Sequence, residues 1–389
     1  MTNLPCLFVA VATLVFAGLS GCASDAPPHA GNKPASVRVY LGTYTSGTSK
    51  GVYMCNLDLA SGALSEPRLA GEAQNPSFLA ISPDRRFMYT ADEFGKFAGG
   101  SAISAFAIEN DGTLKHLNDQ PLTGGPCYVS TDKTGHVIFA ADYGNGTVAS
   151  FTAGPDGALS EPVLIDQHRG VAFDPKRQAG PHAHCIDADA ANKFVLSCDL
   201  GLDKVFVYRL DARTGQLTAN DPPSASVNPG SGPRHLAFHP NGKLVYVIDE
   251  LASTITAFSY DAQHGTLHQI ETMLTLPAGF TGQSSCAEIA IHPNGKFLYG
   301  SNRGHDSIAI FAIDTQTGKL TSKGHVSTQG KNPRSFGIDP SGTWLIAANQ
   351  NSDNLVVFRI DPNTGALSPA GKTISLGAPV CVKFMEAGH

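Results

Sequence analysis

GPRHLAFHPNGKLVYVIDELASTITAFSYDAQHGTL, residues 232–267, decides the fold. A short apolar run turns at HPNG (239–242), continues as LVYVID, turns again, and runs through TITAFSY to Gly265-x-Leu267. Short runs rich in Val, Ile, Tyr and Phe, bounded by Pro, Asn, Asp and Gly, read as strands joined by tight turns. Two charges, Arg234 and Glu250, stand close to strand ends. Strand formation alone gives no reason for them.

The same grammar recurs along the chain. Gly-x-Leu appears at Gly62, Gly112, Gly157, Gly215, Gly265, Gly318 and Gly365, at intervals of 50, 45, 58, 50, 53 and 47 residues. That period suits a four-stranded propeller blade and is too long for ankyrin or tetratricopeptide helices. The longest interval holds an insertion, DQHRGVAFDPKRQA, residues 166–179. FMYTAD, VIFAAD, FVLSCD, LVYVID, FLYGSN and WLIAAN repeat the second strand, and their incomplete alternation fits strands covered on both faces by neighbouring blades. At the N-terminal end VRVYLGTYT and GVYMCNLDL supply second- and third-type strands with no first strand before them, while Val380–Phe384 is a first-type strand with nothing after it. Pairing the two chain ends closes a ring and removes exposed sheet edges. The expectation is an all-β, single seven-bladed β-propeller of four-stranded blades over residues 37–389.

Composition agrees. Of 389 residues, 42% are hydrophobic and 15% charged, enough for a large core, and the 41 Gly and 25 Pro are spread as turn punctuation. A net charge of -6 without a basic run argues against nucleic acid or a lipid surface as electrostatic partner. Residues 1–21 carry the apolar stretch LFVAVATLVFAGL and end in Leu19-Ser20-Gly21-Cys22, which resembles a bacterial lipobox, although no Lys or Arg precedes it. Cys22 is then the expected lipidation site, residues 22–36 a flexible tether, and the periplasm or cell envelope the location, with the membrane touched only through the lipid. The remaining cysteines, Cys55, Cys127, Cys185, Cys198, Cys286 and Cys381, are expected to be small buried residues, with a Cys185–Cys198 disulfide as the alternative.

In a propeller the first strand of each blade lines the central channel. Superposing repeats on Pro181, Pro233 and Pro333 sets His182, Arg234 and Arg334 in one ring, with Ser77 and Cys127 at the same place in earlier blades. His184, two residues on, faces the same way. Glu250, Arg303 and Glu93 follow second strands and return to the same mouth. Several guanidiniums in one concavity can hold a carboxylate or phosphate, and a carboxylate with an imidazole can activate water. The competing reading is an Arg234–Glu250 ion pair that only stitches a blade. His235, His239 and His292 are expected in structural roles, the last two at strand-to-turn junctions. No metal is expected at His182-x-His184, since no further ligand stands at suitable spacing. No nucleophile elbow, P-loop or dinucleotide fingerprint occurs, and no cofactor is implied.

GPHAHC, DLGLDKVFVYRLD, GPRHLAFHPNGKLVYVIDELAST, IAIHPNGKFLYGSNRGHDSIAIF and NPRSFGIDPSGTWLIAANQNSDNLVVF resemble the seven-bladed propeller lactonase family, which includes bacterial 6-phosphogluconolactonases and the fungal carboxy-cis,cis-muconate cyclase. The resemblance runs from about residue 37 to the C-terminus. It implies a catalytic set of His182 or His184, Arg234, Glu250 and Arg303 and a small lactone as partner; the charged ring read from the repeats adds Arg334 and Glu93 as expected substrate contacts, and its guanidiniums an anionic substrate. Hydrolysis of the ring carbonyl by water is the leading expectation. Lactonisation of a dicarboxylate, or ligand binding by a surface-anchored scaffold, are the alternatives. An exported location separates this chain from a cytoplasmic phosphorylated substrate.

Overall fold

The computed structural model describes residues 1, 8, 10, 35–94 and 100–385. The expected signal, tether and lipidated Cys22 therefore lie outside the described residues, apart from isolated positions near the N-terminus. From Ser36 to Met385 the strands form seven four-stranded antiparallel sheets, each built from consecutive strands except the first. In that first blade Pro379–Met385 is the inner strand and pairs antiparallel with Ser36–Thr43. The ring closes as expected from the unmatched strands at its ends. Blades 2 to 7 start with the inner strands Pro76–Ile81, Pro126–Thr131, Ala183–Ala188, Pro233–Phe238, Ser285–Ile291 and Pro333–Ile338.

The second strands are the most apolar and the most enclosed: Phe87–Asp92, Val137–Asp142, Phe194–Asp199, Leu244–Asp249 and Trp344–Asn349 are buried at every residue. Covered on both faces, they have no reason to alternate polar and apolar side chains.

The Gly-x-Leu repeat has a packing cause. The turn of one blade tucks against the start of the second strand of the blade before it. A Cβ on Gly157 would lie 2.1 Å from Phe87, on Gly265 2.5 Å from Phe194, on Gly365 2.5 Å from Phe297 and on Gly62 2.5 Å from Trp344, and all four glycines have positive φ. No other residue suits both the left-handed backbone and the contact. The carbonyls of Gly112, Gly157, Gly318 and Gly365 accept hydrogen bonds from the hydroxyls of Tyr40, Tyr89, Tyr246 and Tyr299 in the preceding blades. His239 and His292 meet their expectation as turn residues. Each takes a backbone N–H two residues on at Nδ1, and Nε2 pairs with the carbonyl of Gly295 or Gly342 in the next blade, at 2.8 Å.

All six cysteines of the propeller are buried free thiols. Cys185 and Cys198 are direct register partners, side by side as expected and not bonded.

Candidate active site at the channel mouth

One irregularity recurs in all seven blades. Near its start every inner strand gains an unpaired residue: Pro233 pairs with Asp249 and His235 with Ile248, which leaves Arg234 as the extra residue of a β-bulge. The same register shift occurs after Pro76, Pro126, Ala183, Pro333 and Pro379, and between Cys286 and Ile289. A bulge re-aims side chains and ends regular pairing, a device found next to active sites. The bulged positions form a ring of Ser77, Cys127, His184, Arg234, Ala287, Arg334 and Val380.

This corrects one sequence alignment. Ala183, not Pro181, matches Pro233, because Ala183 pairs with Asp199 as Pro233 pairs with Asp249. His184 is thus the structural equivalent of Arg234 and Arg334, and His182 stands just outside the strand. Pro181 stands two residues before the register position that Pro233 holds. His182 still reaches the mouth: its ring stacks on Tyr143 at 4.4 Å and its Nδ1 lies 2.8 Å from the Tyr143 carbonyl oxygen.

A second ring comes from residues that follow the second strands. Glu250 follows Asp249, Arg303 follows Asn302 and Glu93 follows Asp92, and Tyr44 and Tyr143 hold the matching places in blades 1 and 3. Both tyrosines went unnoticed in the sequence, although the superposition that produced Glu93 and Glu250 passes through ADY and TYT.

Glu250 is the hub where the rings meet. Arg234 Nε lies 3.0 Å and Arg303 Nη2 2.8 Å from Oε2, Arg177 Nη2 lies 2.8 Å from Oε1, and His184 Nε2 lies 4.0 Å from Oε2. Arg303 and Arg234 therefore share one oxygen on one face of the ring. Arg234 is only 2% exposed; its Nη1 also donates to the Ala287 carbonyl at 2.6 Å. The Arg303 Nη2 donates to the Cys286 carbonyl at 2.8 Å, and its buried Nε has no partner. Across the ring Arg334 lies 3.7 Å from Glu93 and over the Tyr44 ring, and the Tyr44 hydroxyl donates to Glu93 at 2.7 Å.

Burial alone would raise the Glu250 carboxyl, but Arg303 and Arg234 pull it well below the usual carboxylate range. Arg234 is lowered to about 10 by burial and by the charges of Arg303 and Arg334. Burial, then Arg234 and His235, push His184 well below its ordinary value, so it is a neutral imidazole. Burial holds the Cys127 thiol protonated, with Glu93 adding to the effect. Its sulfur lies 3.5 Å from His184 Nδ1 and 3.6 Å from the His184 carbonyl oxygen.

Below the charged ring the channel is filled. Phe78 stacks on Tyr128 at 4.0 Å, and His235 meets both edge-on at 5.5 and 5.0 Å. His235 Nδ1 lies 2.9 Å from Glu288; burial pushes the imidazole down and the carboxyl up. This plug gives the mouth a floor. Among the described residues no group of three or more His, Cys, Asp or Glu stands close enough to hold a metal ion.

Comparison with known proteins fits this geometry. The family model described as "Lactonase, 7-bladed beta-propeller" matches residues 38–384. A 6-phosphogluconolactonase from Bacillus subtilis is 38% identical over 349 residues, 89% of this chain and 98% of the relative. One from Pectobacterium carotovorum is 33% identical over 67% of this chain and 73% of its own length. The solved structure of a periplasmic gluconolactonase from Pseudomonas aeruginosa superposes with a TM-score of 0.84 at 32% identity, covering 90% of this chain and 99% of that one.

Proposed function

Since the chain belongs to the seven-bladed β-propeller lactonase family, we propose that it hydrolyses a sugar lactone, with His184 as general base and Arg303 as electrophile. The observation that carries this reading is a neutral His184 set 4.0 Å from an ionised Glu250 under a cluster of guanidiniums. Glu250 itself is too acidic, and too occupied by three arginines, to accept a proton. Its role is to orient the arginines and to stabilise the imidazolium as it forms.

With the Cys127 thiol donating to the His184 carbonyl oxygen, its sulfur accepts from Nδ1–H and leaves Nε2 unprotonated toward the mouth. Water loses a proton to Nε2 as its oxygen attacks the ring carbonyl carbon. The carbonyl electrons move to oxygen, where Arg303 faces the developing charge. Fixed positive charge at that point lowers the barrier more than it stabilises the ground state. Collapse of the tetrahedral intermediate breaks the bond to the ring oxygen, which takes the proton back from His184. The product is the open hydroxy acid.

Support for an anionic substrate comes from the charge balance. Arg177, Arg234, Arg303 and Arg334 share the mouth with two carboxylates, Glu93 and Glu250. The names of the curated relatives point to a 6-phosphate. The P. aeruginosa neighbour supports a periplasmic location, and the lipobox at residues 19–22 supports a lipid anchor at Cys22. Proton release from a panel of sugar lactones tests the reading: turnover of at least one is expected, and no turnover of any would reject it.

A further inference from the structure

The insertion of residues 166–179 is built to deliver one side chain. Its entry is fixed by His168, buried, whose Nδ1 lies 2.6 Å from Asp199 and whose Nε2 lies 2.8 Å from the Tyr208 hydroxyl. Its exit is fixed by Gln178, 0% exposed, which donates to the Leu200 carbonyl at 2.8 Å and to Asp203 at 2.7 Å and accepts from the Asp174 amide at 2.9 Å. Asp199 also accepts the His182 amide at 2.8 Å, which ties the loop to the strand that carries His184. Arg177, next to the locked Gln178, crosses to Glu250 at 2.8 Å and to the Tyr143 hydroxyl at 3.1 Å.

Arg177 differs from the other guanidiniums at the mouth. It is 43% exposed, against 2% for Arg234, 12% for Arg303 and 16% for Arg334. Arg303 and Arg234 already occupy Oε2 of Glu250, so Arg177 can leave Oε1 and the carboxylate stays paired. With 43% of its side chain open to solvent, Arg177 is the guanidinium of the four best placed to turn outward, and a guanidinium fork meeting a phosphate or carboxylate in two parallel bonds is strong and geometrically selective.

We propose that Arg177 is the specificity-determining residue of this site: it exchanges Glu250 for the anionic substituent of the lactone, a phosphate monoester or carboxylate remote from the reacting carbonyl. The inference rests on the lactonase reading for its reaction but not for its binding. A purely structural Arg177 would tether the loop and treat charged and neutral ligands alike.

The test compares wild type, Arg177→Ala and Arg177→Lys, with thermal melting as a folding control. Calorimetry measures 6-phosphogluconate against gluconate, and kinetics compare the phosphorylated with the neutral lactone. Wild type should bind 6-phosphogluconate at least tenfold tighter than gluconate; Arg177→Ala should lose most of that ratio and Arg177→Lys should recover part of it. The kcat/KM ratio of the two lactones should fall at least tenfold in Arg177→Ala, mainly through KM. Equal affinities in wild type, or an undiminished ratio in Arg177→Ala, overturns the proposal. Discrimination by a wild type that hydrolyses neither lactone would reject the hydrolase reading and leave the role of Arg177 standing.

Discussion

Both ends of the blades hold histidines, and they use them in opposite ways. At the turn end, His239 and His292 each bond one turn amide and one carbonyl of the next blade, so both ring nitrogens are spent on backbone. At the mouth, His184 faces a thiol on one side and a carboxylate 4.0 Å away on the other. Backbone partners are present in every blade and give a repeated, purely structural contact. Side-chain partners come from separate blades and are arranged once. A histidine whose nitrogens are committed to a backbone amide and a carbonyl stabilises; one left toward other side chains can exchange a proton.

Removing the exchangeable histidine should do most damage to turnover. His184→Gln is expected to lower kcat by about 10²- to 10⁴-fold at unchanged melting temperature. In wild type the neutral form persists below the ordinary histidine range, so kcat/KM should stay flat from pH 8 down past 6.5 and fall only in more acid solution. A fall centred at or above 6.5 would remove His184 as the base. Arg303→Ala should cost about 10²- to 10³-fold in kcat, as for other donors facing a developing oxyanion; a loss confined to KM would make Arg303 a binding residue only.

His239→Ala should show the opposite pattern: about 1–3 kcal/mol less stability from two broken buried hydrogen bonds, with kcat retained. A large kcat loss there would break the division between the two ends. A pH effect on stability, with turnover untouched, belongs to Asp249, the residue before Glu250 in sequence. Burial raises its carboxyl to about 7, against hydrogen bonds from Thr254 and Thr256. The folded chain therefore holds a proton that the unfolded chain has released, and stability is greatest in acid and lost as pH rises through about 7. Asp249→Asn should flatten that decline between about pH 4 and 7 in denaturant titrations; an unchanged slope would show that the carboxyl is already ionised.

The difference between the two ends also explains what could be read in advance. HPNG turns, Gly-x-Leu and the second strands are local and repeated, so seven copies reinforce one another. Arg234, Glu250 and Arg303 stand out in the sequence because each breaks the apolar pattern of a repeat. Arg177 was not found, because its loop occurs once and has no copy to be compared with. His184 could not be aligned with Arg234 from the sequence because the proline used as a landmark stands two residues earlier in this blade, and only strand pairing gives the register. Cys127 was placed in the ring correctly, but its contact with His184 joins two blades, and no spacing within one repeat encodes that.

The chain by itself determined the all-β class, the number of blades and the closure of the ring, because these follow from short-range periodicity and from which strands lack a partner. Tertiary structure alone decided that three arginines converge on one carboxylate and that burial keeps His184 neutral. Those outcomes depend on distances between blades and on the exclusion of water at the mouth, and both arise only when the ring is complete.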